Sequence, residues 1–207
     1  MTAIDSALAM AALRTFEEIP DGIGLLDQVI KASLTSLHAD LPRWYEREQE
    51  VVSLYAFGHM VPLLLRENID IGQLVVEGRI PQIALKVGTS PNLKRPYFDH
   101  RVRRDLVIRK RRHDGYFRVL DKPDHPFAVM EWKISVADRT PKNIADDNEI
   151  DLCWLRDNAD LMRVGYCVLV EWPDGALRIK CARICGREVD REFLGLPQVE
   201  AAKPQSL

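Results

Sequence analysis

The sequence predicts an α/β fold, a mixed central sheet covered by helices on both faces. Three observations carry this. Apolar residues at helical spacing fill the first third of the chain and return after Pro141, while strand-like apolar runs lie between and after them. The resulting order is helix, strand, strand, strand, helix, strand, strand, which suits a mixed sheet rather than a sandwich. At 207 residues, 46% hydrophobic and 29% charged, the chain can bury a real core and has an ordinary globular composition.

Each element has a local reason. Ser6 to Glu18 is rich in Ala and Leu and reads as a helix ended by Pro20-Asp21-Gly22. Gly24 to Leu37 spaces its apolar residues as a second helix. After Pro42, a longer helix is expected from Arg43 to Glu67, with acidic residues in its first turns and Pro62 as a kink or split. Gln73 to Val87 reads as a strand interrupted at Pro81, and Gly88 to Phe98 as loop. RVRRDLVIRKRR gives a short strand centred on Leu106-Val107-Ile108, the segment after it a turn region, and FAVMEWKIS (Phe127 to Ser135) the next strand. Asn143 to Met162 is helical, Val164 to Glu171 a strand, and ALRIKCARI its hairpin partner across Pro173-Asp174-Gly175. Residues 1–42 are expected to form a helical extension and 43–194 the core. Gly195 to Leu207, with Pro and Gln, is expected to fray.

Bulk properties exclude some classes. A net charge of −2 gives no global field toward nucleic acid or an anionic membrane, so any basic surface must be local. The first residues lack a basic, apolar signal-peptide pattern, and no apolar run approaches the roughly 20 residues of a membrane span. Cys153, Cys167, Cys181 and Cys185 form no C-x-x-C pair and read as buried free thiols of a cytoplasmic protein. His38, His59, His100, His113 and His125 show no metal spacing. There is no Gly-rich phosphate loop and no nucleophilic-serine elbow.

The chemistry lies in FAVMEWKIS. Glu131 and Lys133 stand two residues apart in an apolar strand, so both project to one face, about 6–7 Å apart along it. Met130, Trp132 and Ile134 project to the other. Charge inside such a strand is costly unless it is paired or holds a metal. Asp105 opens the preceding strand. If the two strands are neighbours, Asp105 and Glu131 converge, and paired carboxylates are natural ligands of a hard divalent cation. A lysine beside them can orient an attacking water or stabilise developing phosphorane charge, which suits metal-assisted phosphodiester hydrolysis.

On Asp105 in RRDLVIRK and Glu131-Trp132-Lys133 in FAVMEWKIS, the chain resembles the PD-(D/E)xK nuclease superfamily, the restriction-endonuclease-like fold. That family's core is a helix, three strands, a second helix and a further strand, an order supplied here from Arg43 to Glu171. Arg104 stands where the motif's name has proline. The resemblance implies a Mg²⁺- or Mn²⁺-dependent deoxyribonuclease, with Asp105 and Glu131 on the metal and Lys133 assisting the attacking water. It also implies an acidic residue from the first core helix. Glu48 ranks first because Val51, Val52 and Tyr55 share its face. Glu50, beside Ser53, Leu54 and Phe57, ranks second, and Glu46 third.

Around this set, Glu77 and Gln82 on the first strand are candidate supporting residues. Lys94 to Arg112 is locally basic, and Arg103, Arg104, Arg109, Lys110, Arg111 and Arg112 are candidate DNA-phosphate contacts. The bland alternatives are a solvated edge that discourages strand pairing and, for Glu131 and Lys133, a cross-strand salt bridge on a solvated face. Asp146, Asp147, Glu149, Asp151, Asp157 and Asp160 on the late helix are expected to face solvent. The competing function is a catalytically inactive nuclease-like scaffold that binds nucleic acid or protein. A homodimer is compatible with the fold-level analogy.

Overall fold

A computed structural model of the chain describes residues 13–41, 47–81, 101–110, 125–135, 141–173 and 176–199, except the side chains of 78–81, 101–103, 141–143 and 198–199. Helix α1 (Gly22–Asp40) precedes a continuous helical stretch: α2 (Glu48–Leu54), a π-helical turn (Tyr55–Met60) and α3 (Val61–Arg66). Strands β1 (Leu74–Pro81), β2 (Arg101–Ile108) and β3 (Ala128–Ile134) follow, then α4 (Pro141–Asp157), and last β4 (Val164–Glu171), β5 (Leu177–Cys185) and β6 (Glu188–Val199). The six strands form one mixed sheet in the order β1-β2-β3-β4-β5-β6. All neighbours are antiparallel except β3 and β4, which run parallel. Parallel neighbours need a crossover, and α4 supplies it.

The expected α/β class with helices on both faces is therefore observed. On one face Met130, Trp132 and Ile134 of β3 join Val168 and Val170 of β4 and the apolar residues of α1 to α3 in a single cluster. On the other face Val129 and Cys167 meet Leu152 and Leu155 of α4 in a smaller one. Helix α1 starts where Asp21 accepts a hydrogen bond from Gly24 N at 3.0 Å, a short acidic cap on otherwise orphaned amides. It belongs to the main core: Leu26, Ile30, Leu34 and Leu37 are all fully buried in it. Asp27 ties it to the sheet by accepting from the Tyr166 hydroxyl at 2.6 Å and Arg183 Nε at 3.0 Å.

Several boundaries differ from expectation, each for a physical reason. Of the helix expected over Ser6 to Glu18, residues 1–12 lie outside the described set, and the rest is only a 3₁₀ turn, Phe16–Glu18. The Glu18 side chain folds back to accept from Thr15 N at 2.8 Å, which favours a tight local turn over continued helix. Pro62 does not split the long helix. The proline has no N–H and crowds the carbonyl four residues earlier, and the wider π turn just before it absorbs the mismatch. Helix α4 stops at Asp157 because Asn158 turns its side-chain amide onto the Trp154 carbonyl, 2.9 Å away. The tail does not fray at Gly195. Ile179 pairs with Leu196 and Leu177 with Val199, so β6 is an edge strand in which Gly195 and Pro197 are tolerated. Among the described residues no helix is long and apolar enough to cross a membrane.

Trp132 anchors this arrangement. It is fully buried, and its ring centroid lies 4.8 Å from that of Tyr55, whose hydroxyl accepts from Ser33 of α1 at 2.9 Å. One side chain thus locks β3 to the π turn that follows α2 and, through Tyr55, to α1. Trp132→Ala should cost about 3–5 kcal/mol of unfolding free energy. Its indole N–H makes no hydrogen bond, so Trp132→Phe should cost less than half as much. Urea denaturation of the two variants measures both.

Candidate functional site

The β2–β3 ladder runs from Ile108↔Ala128 to Leu106↔Met130 and stops. One residue further on, the Asp105 carboxylate takes the place of a backbone partner: its Oδ2 accepts from Trp132 N at 2.7 Å. This fixes the carboxylate between the two strands, against Glu131. The two carboxyl groups are close enough to influence each other's ionisation. The convergence that the sequence made conditional on neighbouring strands is present. Burial pushes the Asp105 carboxyl above its ordinary range, partly opposed by the Trp132 amide and by Lys133.

Glu131 is the most constrained member. It is 4% exposed, at the centre of a strand covered on both faces. Desolvation raises its pKa well above the usual value. Arg104 opposes that rise, while the Asp105 and Asp151 carboxylates add to it. Arg104 Nη1 lies 2.9 Å from Glu131 Oε1, with its guanidinium stacked 3.4 Å from the Trp154 ring centroid. The distance is that of an ion pair, but the angles are not those of a hydrogen bond. Glu131 Oε1 and Arg104 Nε are both buried without a hydrogen-bond partner. The contact is therefore a charge pair without the fork geometry that makes Arg–carboxylate pairs strong.

Lys133 does not bridge to Glu131. Its Nζ lies 2.7 Å from Asp151 Oδ2 and donates to the Trp132 carbonyl at 2.9 Å. Burial would lower its pKa, but Asp151, with Glu48 and Asp105 behind it, outweighs burial and raises it, so the amine stays charged. Asp151 thus corrects the expectation that the acidic residues of α4 face solvent. The signal was present: Ile144, Asn148, Asp151, Leu152 and Leu155 fall at helical spacing on one stripe. Ile144, Leu152 and Leu155 are buried, Asn148 accepts from the Cys167 thiol at 3.2 Å, and Asp151 shares their side.

The remaining candidates divide. Glu48, at the start of α2 and half-buried, lies near enough to act on Lys133, while Glu50 is exposed. Glu77 sits between the pairs Val76↔Leu106 and Gly78↔Arg104 of the β1–β2 register, which puts it across from Asp105. It adopts φ 51°, a strained value for a side-chain-bearing residue, and accepts a hydrogen bond from Gln49, the neighbour of Glu48. Among the proposed phosphate contacts, Arg104 turns inward to Glu131. Arg109 and Lys110 are half-exposed at the end of β2. Glu46, Gln82, Arg111, Arg112 and the side chain of Arg103 lie outside the described residues.

The donors suit a divalent cation in one respect: Glu131 Oε1 is buried, unpartnered by hydrogen bonds, and adjacent to a second carboxylate. Among the described residues no group of three or more His, Cys, Asp or Glu side chains is spaced to enclose an ion, so solvent or substrate oxygens would complete the shell. The chain matches no protein-family model, no curated protein and no solved structure.

The buried carboxyl gives stability a definite pH dependence. Glu131 has a folded-state pKa well above that of an ordinary glutamate in the unfolded chain. Its protonated form therefore supports the fold fully below that value, and this contribution is lost as pH rises through the folded-state pKa. With chelator present, Glu131→Gln should gain on wild type as pH rises from 4 toward 7, by at most about 1.4 kcal/mol per unit. Chemical denaturation across that range checks the sign. A wild type that gains on the variant with pH would mean the carboxylate is stabilised rather than strained.

Proposed function

We propose that the protein is a metal-dependent nuclease that hydrolyses phosphodiester bonds in DNA. The observation that carries this reading is the pair of carboxyl groups, buried Glu131 and half-buried Asp105, close together where β2 and β3 part, with the charged Lys133 beside them. The order of the elements supports it too: a helix, three strands, a second helix and a further strand, the order of the PD-(D/E)xK core that the motif resembles.

In this reading Asp105 and Glu131 hold Mg²⁺ or Mn²⁺. The ion, when bound, polarises the phosphoryl oxygen and acidifies water. Lys133 remains an ammonium, so it donates. It orients the attacking water or a phosphate oxygen and neutralises developing negative charge, and is not the general base. Glu48 supports the site by its charge on Lys133. Arg109 and Lys110, with the basic segment around them, hold the phosphate backbone. Four free cysteines fit a cytoplasmic protein, and a homodimer would bring two such sites to a duplex.

The Arg104–Glu131 pair favours one second reading, an inactive scaffold of the same fold that binds nucleic acid or protein. Supercoiled plasmid incubated with Mg²⁺ or Mn²⁺ separates the two. Nicking should occur, and Asp105→Asn, Glu131→Gln and Lys133→Ala should each lower its rate by about 10²-fold or more. Asp105→Asn is the sharpest of these, since an amide oxygen can still accept from Trp132 N and only the charge is lost. Cleavage that persists in all three variants would assign the activity elsewhere, and DNA binding without cleavage would favour the scaffold.

A further inference from the structure

We infer that Arg104 is an internal counter-ion that a divalent cation must displace from Glu131, so that this residue sets the metal affinity of the site. The inference rests on the metal-dependent reading above. Three observations lead to it. First, Arg104 Nη1 stands 2.9 Å from Glu131 Oε1, the buried oxygen best placed to ligate a cation beside Asp105. A guanidinium and a divalent ion competing for one buried oxygen repel each other, so the contact and the ion exclude one another. Second, the pair is made by charge alone. Neither Arg104 Nε nor Glu131 Oε1 has a hydrogen-bond partner, so the guanidinium is released more easily than from a bidentate fork. Third, the guanidinium stacks on the Trp154 ring at 3.4 Å. That aromatic face can keep a weakly hydrated guanidinium in place as it shifts off the carboxylate.

Calorimetric titration of the full chain with Mn²⁺ tests this. Losing one charge-assisted contact should make Arg104→Gln bind Mn²⁺ about tenfold to a hundredfold more tightly than wild type. Arg104→Lys should fall between them, and Glu131→Gln in the Arg104→Gln background should abolish the gain. Equal affinity in wild type and Arg104→Gln would overturn the inference while leaving the metal site standing. No Mn²⁺ binding by either would overturn the metal-dependent reading and this inference together. A second measurement does not depend on an Arg104 variant folding. Mg²⁺ should change the tryptophan emission of wild type, and Trp154→Phe should lose that change. Calorimetric Mg²⁺ binding with no Trp154-dependent change would equally overturn the displacement.

Discussion

A carboxyl group buried in the middle of a central strand needs a cation or a proton, and much of this structure is organised around supplying one to Glu131. The side chain is covered by α4 on one face of the sheet, while Trp132, next to it, fills the opposite face. Water is largely excluded, so full ionisation is unfavourable unless positive charge lies close. Without an added ion the protein has two partial remedies. Arg104 contributes a guanidinium at ion-pair distance, and the carboxyl keeps its proton to higher pH than an exposed glutamate would. Neither leaves Oε1 with a well-formed hydrogen bond. An oxygen kept buried and under-bonded beside a second carboxylate is the feature on which the proposed metal site rests.

The fold makes this arrangement by two departures from regular structure. The β2–β3 ladder ends early, and the Asp105 side chain substitutes for the missing backbone partner of Trp132. In β1, Glu77 with its φ of 51° lies across from the same point. Strain and broken pairing thus coincide on adjacent strands, where irregular backbone often accompanies function. The crossover helix α4 completes the site: Asp151 holds Lys133 and Trp154 stacks on Arg104, so one helix fixes the positions of both half-buried cations.

Much of this was legible in the sequence, and the misses are instructive. The odd pattern Glu131-Trp132-Lys133 in an apolar strand pointed to the face that packs and to the side that carries the charged cluster, and the adjacency of β2 and β3 on which the place of Asp105 depended is observed. The roles of Arg104 and Asp151 did not. Arg104 lies in a run of arginines, which reads as surface, and only the local parting of β2 and β3 lets it turn inward. Asp151 lies among many acids on α4, and charge count outweighed its place on the Ile144–Leu155 stripe. Strand β6 was missed altogether: ALRIKCARI was read as the last strand, and Gly195 and Pro197 read as breakers, although an edge strand tolerates both. The π turn before Pro62 has no sequence signature beyond the proline itself.

The central claim is that Asp105 and Glu131 are kept together for a divalent cation. An ion that binds the folded state and not the unfolded one raises the melting temperature by mass action. Thermal unfolding of wild type and Glu131→Gln, each with chelator and with millimolar Mn²⁺, is therefore the most direct test. The account predicts that Mn²⁺ raises the midpoint of wild type and leaves that of Glu131→Gln unchanged. An equal shift in both proteins, or none in wild type, would contradict it.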